Sequence, residues 1–159
     1  MRFFETALTR AGRPVNLDEI APMIKKVAEE YNLVLVYLYG SYAKNTAGKL
    51  SDLDIAFLPV KSNKSRENNF KFDKRAGLLA RLEDIFEEEA IDLVNFTEAP
   101  PSLIHRILKD GVCIYARGNS ERLNFEIINE SLYYDTAPLR KEYFANLRRK
   151  IEDGSFGYR

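Results

Sequence analysis

One seven-residue run, Leu33-Val-Leu-Val-Tyr-Leu-Tyr39, constrains the fold more than any other feature of the sequence, and Gly40 halts it. The run is continuously apolar, β-branched and aromatic, the pattern of a strand buried on both faces. Such a strand sits centrally in a sheet and needs helices on both sides to cover it. At 159 residues the chain has room for one domain with a single core and a short helical appendage.

The rest of the sequence supplies those layers. Asn16, three residues before Glu19, resembles a capping box, and Ile20, Ile24, Val27 and Ala28 continue at helical spacing to about Tyr31. Pro22 falls inside this stretch and pushes the expected start toward Ala21. A polar connection from Ser41 to Ser51 leads into a second strand, Asp52 to Leu58, ended by Pro59. Residues 61–75 carry six basic side chains against two acidic ones and read as an exposed loop. Phe72, Ala76, Leu79, Leu82 and Phe86 then recur at helical intervals, followed by a strand from Ala90 to Phe96. A short helix over Pro101 to Lys109 and a strand over Val112 to Tyr115 complete the pattern, and from Ser120 the chain is helical, divided at Pro138. In the last helix Leu139, Tyr143, Leu147 and Ile151 share a face. The fold class is α/β (α+β): a small mixed sheet flanked by helices, with further helices at the C-terminus.

Composition narrows the function. Lys and Arg number 24, as do Asp and Glu, so the net charge is zero and direct binding of nucleic acid through a basic surface is not expected. A hydrophobic content of 45% fits an ordinary globule, with no run of membrane-spanning length and no signal-like N-terminal stretch. The one cysteine, Cys113, cannot form an internal disulfide and reads as core, and with only His105 as histidine there is no zinc spacing. A reducing cytoplasm is the expected setting.

The chemistry is concentrated where the first strand ends and the second begins. Asp52 and Asp54 alternate with Leu53, so both carboxylates point to one side of the sheet, about 7 Å apart. Asp92 interrupts another apolar strand and would join them if that strand lay alongside. Three like charges so close require a cation, and an all-oxygen ligand set suits Mg²⁺ shared with substrate phosphates. Gly40-Ser41 offers backbone that phosphates can approach closely, together with a hydroxyl. The implied substrate is a nucleoside triphosphate. Taken singly, each feature has a plainer explanation: Gly-Ser is a common turn, and an aspartate often opens a strand. The plainer account fails for Asp54 and Asp92, which interrupt apolar runs.

Gly40-Ser41, ten residues, then Asp52-x-Asp54 resembles the signature of the DNA polymerase β-like nucleotidyltransferase superfamily, and the small size resembles its minimal-nucleotidyltransferase (MNT) branch. The likeness extends along Tyr39 to Ala56, with Ser51 before the first aspartate, Asp92 at the third carboxylate, and Leu103, Ile107, Gly111 and Tyr115 in the segment beyond. Asn45 departs from the glycine often found after the loop's basic residue. The resemblance implies a nucleotidyltransferase domain over residues 1–117, with residues 118–159 as a helical extension packed on it.

It further implies metal-dependent transfer of a nucleoside monophosphate to a hydroxyl, with release of pyrophosphate. Asp52, Asp54 and Asp92 would hold two Mg²⁺ ions and carry the catalysis. Gly40 and Ser41 would hold the β- and γ-phosphates of ATP, with Ser51, Lys44 and Lys49 as further nucleotide contacts. Small members of this branch are antitoxins of HEPN/MNT toxin–antitoxin pairs, which add AMP to a tyrosine of the partner HEPN ribonuclease. Two alternatives stand beside that picture: an aminoglycoside-type enzyme acting on a small-molecule hydroxyl, and a non-catalytic antitoxin that acts by binding. The basic excess after Leu139 suits a cationic drug badly. His105, between Ile104 and Arg106, reads as a solvated or capping side chain with no catalytic role. Phe125, Tyr133, Tyr134, Tyr143 and Phe144 either pack on the sheet or form a protein interface.

Overall fold

The apolar run forms the interior strand of a four-stranded sheet. The computed structural model describes residues 7–8, 14–15, 17–44, 46–48, 51–60, 72–87 and 90–155. Two short strands, β1 (Ala7–Leu8) and β2 (Pro14–Val15), pair with each other and precede helix α1 (Leu17–Glu30). Then come β3 (Leu33–Tyr39), the helical turn α2 (Gly40–Ala43), β4 (Leu53–Pro59), α3 (Phe72–Phe86), β5 (Ile91–Asn95), α4 (Pro101–Asp110), β6 (Val112–Ala116), α5 (Asn119–Asp135) and α6 (Ala137–Glu152). The main sheet has the order β5-β4-β3-β6 and is mixed: β3 runs antiparallel to both β4 and β6, while β4 and β5 are parallel.

Two helical layers enclose the sheet. On one face Ile20, Ile24, Val27 and Ala28 of α1 and Leu78, Leu82 and Phe86 of α3 close over Val36, Leu38, Ile55 and Phe57, the larger apolar cluster. On the other, Ile104 and Ile107 of α4 cover Leu35, Tyr37, Tyr39 and Ala56, and Phe125 of α5 packs against them. Each fully buried Leu or Ile contributes about 1.5–3 kcal/mol. That burial explains why α1 starts at Leu17 and runs through Pro22, where a start nearer Ala21 was expected. The helix forfeits one hydrogen bond at an exposed position and keeps four buried side chains. Asn32, with φ 53°, turns the chain from α1 into β3.

Several details depart from the sequence expectations. Gly40–Ala43 is a helical turn where an irregular connection was expected. Phe72 is 84% exposed and lies outside the core, because Leu78, Leu82 and Phe86 form the buried stripe of α3. Lys74 and Arg75 belong to the first turn of that helix and not to a loop, and Arg75 donates to the Leu93 carbonyl, tying α3 to β5. The proposed cap at Asn16, the departure at Asn45, the basic stretch 61–71 and Lys49 lie outside the described residues.

The last two helices are attached differently from the first four. Neither α5 nor α6 contains a buried residue. Polar ties hold α5: the Tyr37 hydroxyl donates to Glu126 at 2.6 Å, and His105 Nδ1 lies 2.9 Å from the Glu130 carboxylate. The His105 ring also stacks on Tyr133 at 3.8 Å, with the Arg140 guanidinium 3.8 Å from the same tyrosine ring. His105, expected as a solvated or capping side chain with no catalytic role, is instead a fastener between α4 and α5. Of the C-terminal aromatics, Phe125 packs inward beside Phe96, while Tyr134, Tyr143 and Phe144 are exposed. Cys113 is partly buried beside the smaller cluster, as expected of a core position.

Candidate active site

Strand register assembles the acidic group. Asp54 is opposite Tyr39 on β3 and opposite Asp92 on β5. Residues paired in a sheet project to the same side, so Tyr39, Asp54 and Asp92 gather on the face covered by α4. Asp52 precedes β4 by one residue and shares that side by alternation. Asp54 is half-buried, while Asp52 and Asp92 are exposed. Burial raises the Asp54 pKa, the Asp92 and Asp52 charges raise it further, and Arg106 opposes the rise. Burial, Asp54 and Asp92 push the Tyr39 hydroxyl up to about 12, so it remains a proton donor at neutral pH.

Gly40 is pressed against this group. Its φ of +71° is left-handed, and a Cβ there would overlap the Asp54 carboxylate. Glycine is therefore required twice, for backbone conformation and for space. The helical turn that follows has no side-chain cap among the described residues. Tyr42 is buried beneath it, with its hydroxyl 3.4 Å from the Ser51 carbonyl. Ser51 in turn accepts the Gly48 N–H at 2.9 Å through its own hydroxyl.

A cavity of about 390 Å³ opens here, lined by Tyr39, Gly40, Ser41, Lys44, Thr46, Asp54, Arg106 and Asp110. Its size lies within the range of small-ligand sites. The structure thus brings Gly40, Ser41, Lys44 and Asp54 to one cavity, with Asp52 and Asp92 beside Asp54. Ser51 is turned into its own loop. Lys44 forms an ion pair of 2.7 Å with Asp110. Arg106, Thr46 and Asp110 were not anticipated as site residues: α4 delivers Arg106 and Asp110 from far beyond the motif in sequence, and no local pattern marks them.

The carboxylates suit a hard cation. They offer oxygen donors only, and the charges of Asp92 and Asp52 add to the burial that raises the Asp54 pKa, with Arg106 acting the other way. Among the described residues no three acidic, histidine or cysteine side chains enclose an ion by themselves. A cation here would take its remaining ligands from substrate phosphates and water, as Mg²⁺ commonly does.

A sheet with glycine-serine at one strand end and paired aspartates at the next defines a nucleotide-handling enzyme. Residues 23–120 match the family model for polymerase beta nucleotidyltransferases, and the chain belongs to that family. It is a nucleotidyltransferase. Among solved structures, a chain of a toxin–antitoxin complex with AMP-PNP superposes with a TM-score of 0.66 at 22% identity, covering 80% of this chain and 98% of that one. A chain from the complex of tri-AMPylated Shewanella oneidensis HEPN toxin with MNT antitoxin gives 0.63 at 20% identity, over 84% and 99%. One from the MntA–HepT toxin–antitoxin complex gives 0.62 at 20%, over 82% and 98%. At these identities the likeness establishes a shared fold. No curated protein matches the chain by sequence. Among the described residues no helix is long and apolar enough to cross a membrane.

Proposed function

We propose that this chain is the antitoxin half of a toxin–antitoxin pair, a protein adenylyltransferase that moves AMP from ATP to a tyrosine hydroxyl of a HEPN-type ribonuclease and silences it. The observation that carries the proposal is the cavity in which Gly40 and Ser41 face Asp54, on a fold shared over most of the chain with a protein from a complex whose HEPN toxin is AMPylated. The acceptor oxygen bonds to the α-phosphorus, the α–β P–O bond breaks, and pyrophosphate leaves. Gly40 and Ser41 hold the terminal phosphates. Asp52, Asp54 and Asp92 would hold Mg²⁺, which neutralises charge on the triphosphate and acidifies the acceptor hydroxyl. The exposed carboxylate of Asp92 receives the hydroxyl proton.

A protein acceptor, in place of a small molecule, is supported by the outer face of the C-terminal helices. Leu123, Ile127, Ile128, Leu139, Tyr143 and Phe144 are all between 48% and 67% exposed. Large apolar side chains left exposed in this number suit contact with another macromolecule. The proposal places the protein in the cytoplasm, where such a partner would act.

Intact mass spectrometry of the neighbouring gene's product, after incubation with this protein, ATP and Mg²⁺, tests the proposal. A gain of whole AMP units, absent with Asp52→Asn and Asp54→Asn, is the expected result. Tight binding with no gain in mass would replace transfer with neutralisation by occlusion.

A further inference from the structure

Four charged side chains line the cavity, and they are not equivalent. Lys44 is already answered by Asp110 at 2.7 Å. Arg106 is exposed on α4 and makes no ion pair among the described residues. Its charge nonetheless falls on the site, lowering the pKa values of both Asp54 and Tyr39 against the effect of burial. The next residue back on α4, His105, is clasped by Glu130 and Tyr133, which limits how far that turn of helix can swing.

A triphosphate brings several negative charges into a cavity where Lys44 is neutralised and Asp54 is repulsive. The uncommitted cation is a guanidinium, permanently charged and able to present two parallel N–H donors to a phosphate. We propose that Arg106 grips the β- and γ-phosphates of the nucleotide, and so binds the group that departs as pyrophosphate. Charge building on that leaving group as the α–β bond breaks would meet a donor already in place. The inference rests on the nucleotide-transfer reading but not on the identity of the acceptor.

The test is calorimetric titration of the full chain with ATP and, separately, with AMP, in Mg²⁺ and without acceptor. Arg106→Ala is expected to weaken ATP binding by about ten- to a hundredfold, the value of a charge-assisted hydrogen bond or pair. AMP, which lacks the terminal phosphates, should bind the variant as it binds the wild type. Arg106→Lys should recover part of the loss, since it restores charge without the fork. Unchanged ATP affinity in Arg106→Ala overturns the proposal, and so does an equal fall for ATP and AMP, which would mark a structural role. Wild-type protein that binds ATP but never modifies its partner would refute adenylyl transfer to that partner and leave Arg106 in place; wild-type protein that does not bind ATP would refute both.

Discussion

Asp54 and Asp92 are register partners on adjacent parallel strands, so two carboxylates occupy neighbouring points on one face of the sheet. Their repulsion adds to the burial that raises the Asp54 pKa. Between the ordinary carboxylate value and that raised value, the folded chain binds more protons than the unfolded chain. Stability therefore falls as pH rises through this window. Asp54→Asn should be more stable than wild type in urea at pH 7, and the difference should vanish at a pH below the ordinary carboxylate range. Nucleotide transfer should drop by about 10²–10³-fold in the same variant. A variant less stable than wild type at pH 7 would contradict the account.

The same repulsion should make the fold responsive to divalent cations. A ligand that binds only the folded state stabilises it by about 2.7 kcal/mol at a hundred times its dissociation constant. Mg²⁺ should raise the thermal midpoint of wild-type protein, more so with ATP present, and should leave Asp52→Asn/Asp54→Asn unmoved. Equal shifts in both proteins would place the ion elsewhere.

Gly40 and Gly48 offer a matched pair. Gly40→Ala must hold a side chain at φ +71°, at a cost of about 1–2 kcal/mol, and must also push aside the Asp54 carboxylate. Gly48 has open space around its Cβ position, and Gly48→Ala should stay within about 0.5 kcal/mol of wild type. Denaturant unfolding and a transfer assay should show Gly40→Ala losing both stability and activity, and Gly48→Ala neither.

The His105–Glu130 contact joins α4 to α5, with side chains only 16% and 35% exposed. His105→Ala should raise amide hydrogen exchange across residues 119–135 while leaving β3 and β4 protected. Uniform protection in both proteins would show that α5 is held by other contacts.

Much of this architecture was legible because it depends on periodicity. The unbroken run at Leu33–Tyr39 could only be an interior strand, and Asp54 and Asp92 stood out by interrupting apolar stretches. What stayed hidden depends on distant partners. Pro22 inside α1 is tolerated because of side chains the helix buries against the sheet, which no local rule weighs. His105 looked solvated because Glu130 and Tyr133 lie 25 and more residues away. Arg106 carried no signal at all: its meaning comes from α4 packing next to Tyr39 and Gly40. Phe72 misled by matching the helical interval while sitting on the solvent side of α3.

The two faces of the sheet are unequally clad. The face bearing the carboxylates has the smaller apolar cluster, and its outer helix α5 has no fully buried residue and is held by Tyr37, His105 and the partly buried Phe125. An element so lightly packed should open locally before the apolar layer formed with α1 and α3 melts. The enzyme should therefore fall silent on heating while its strands are still intact, and regain its activity on cooling, because the half that remains folded is a template on which the other half can close again.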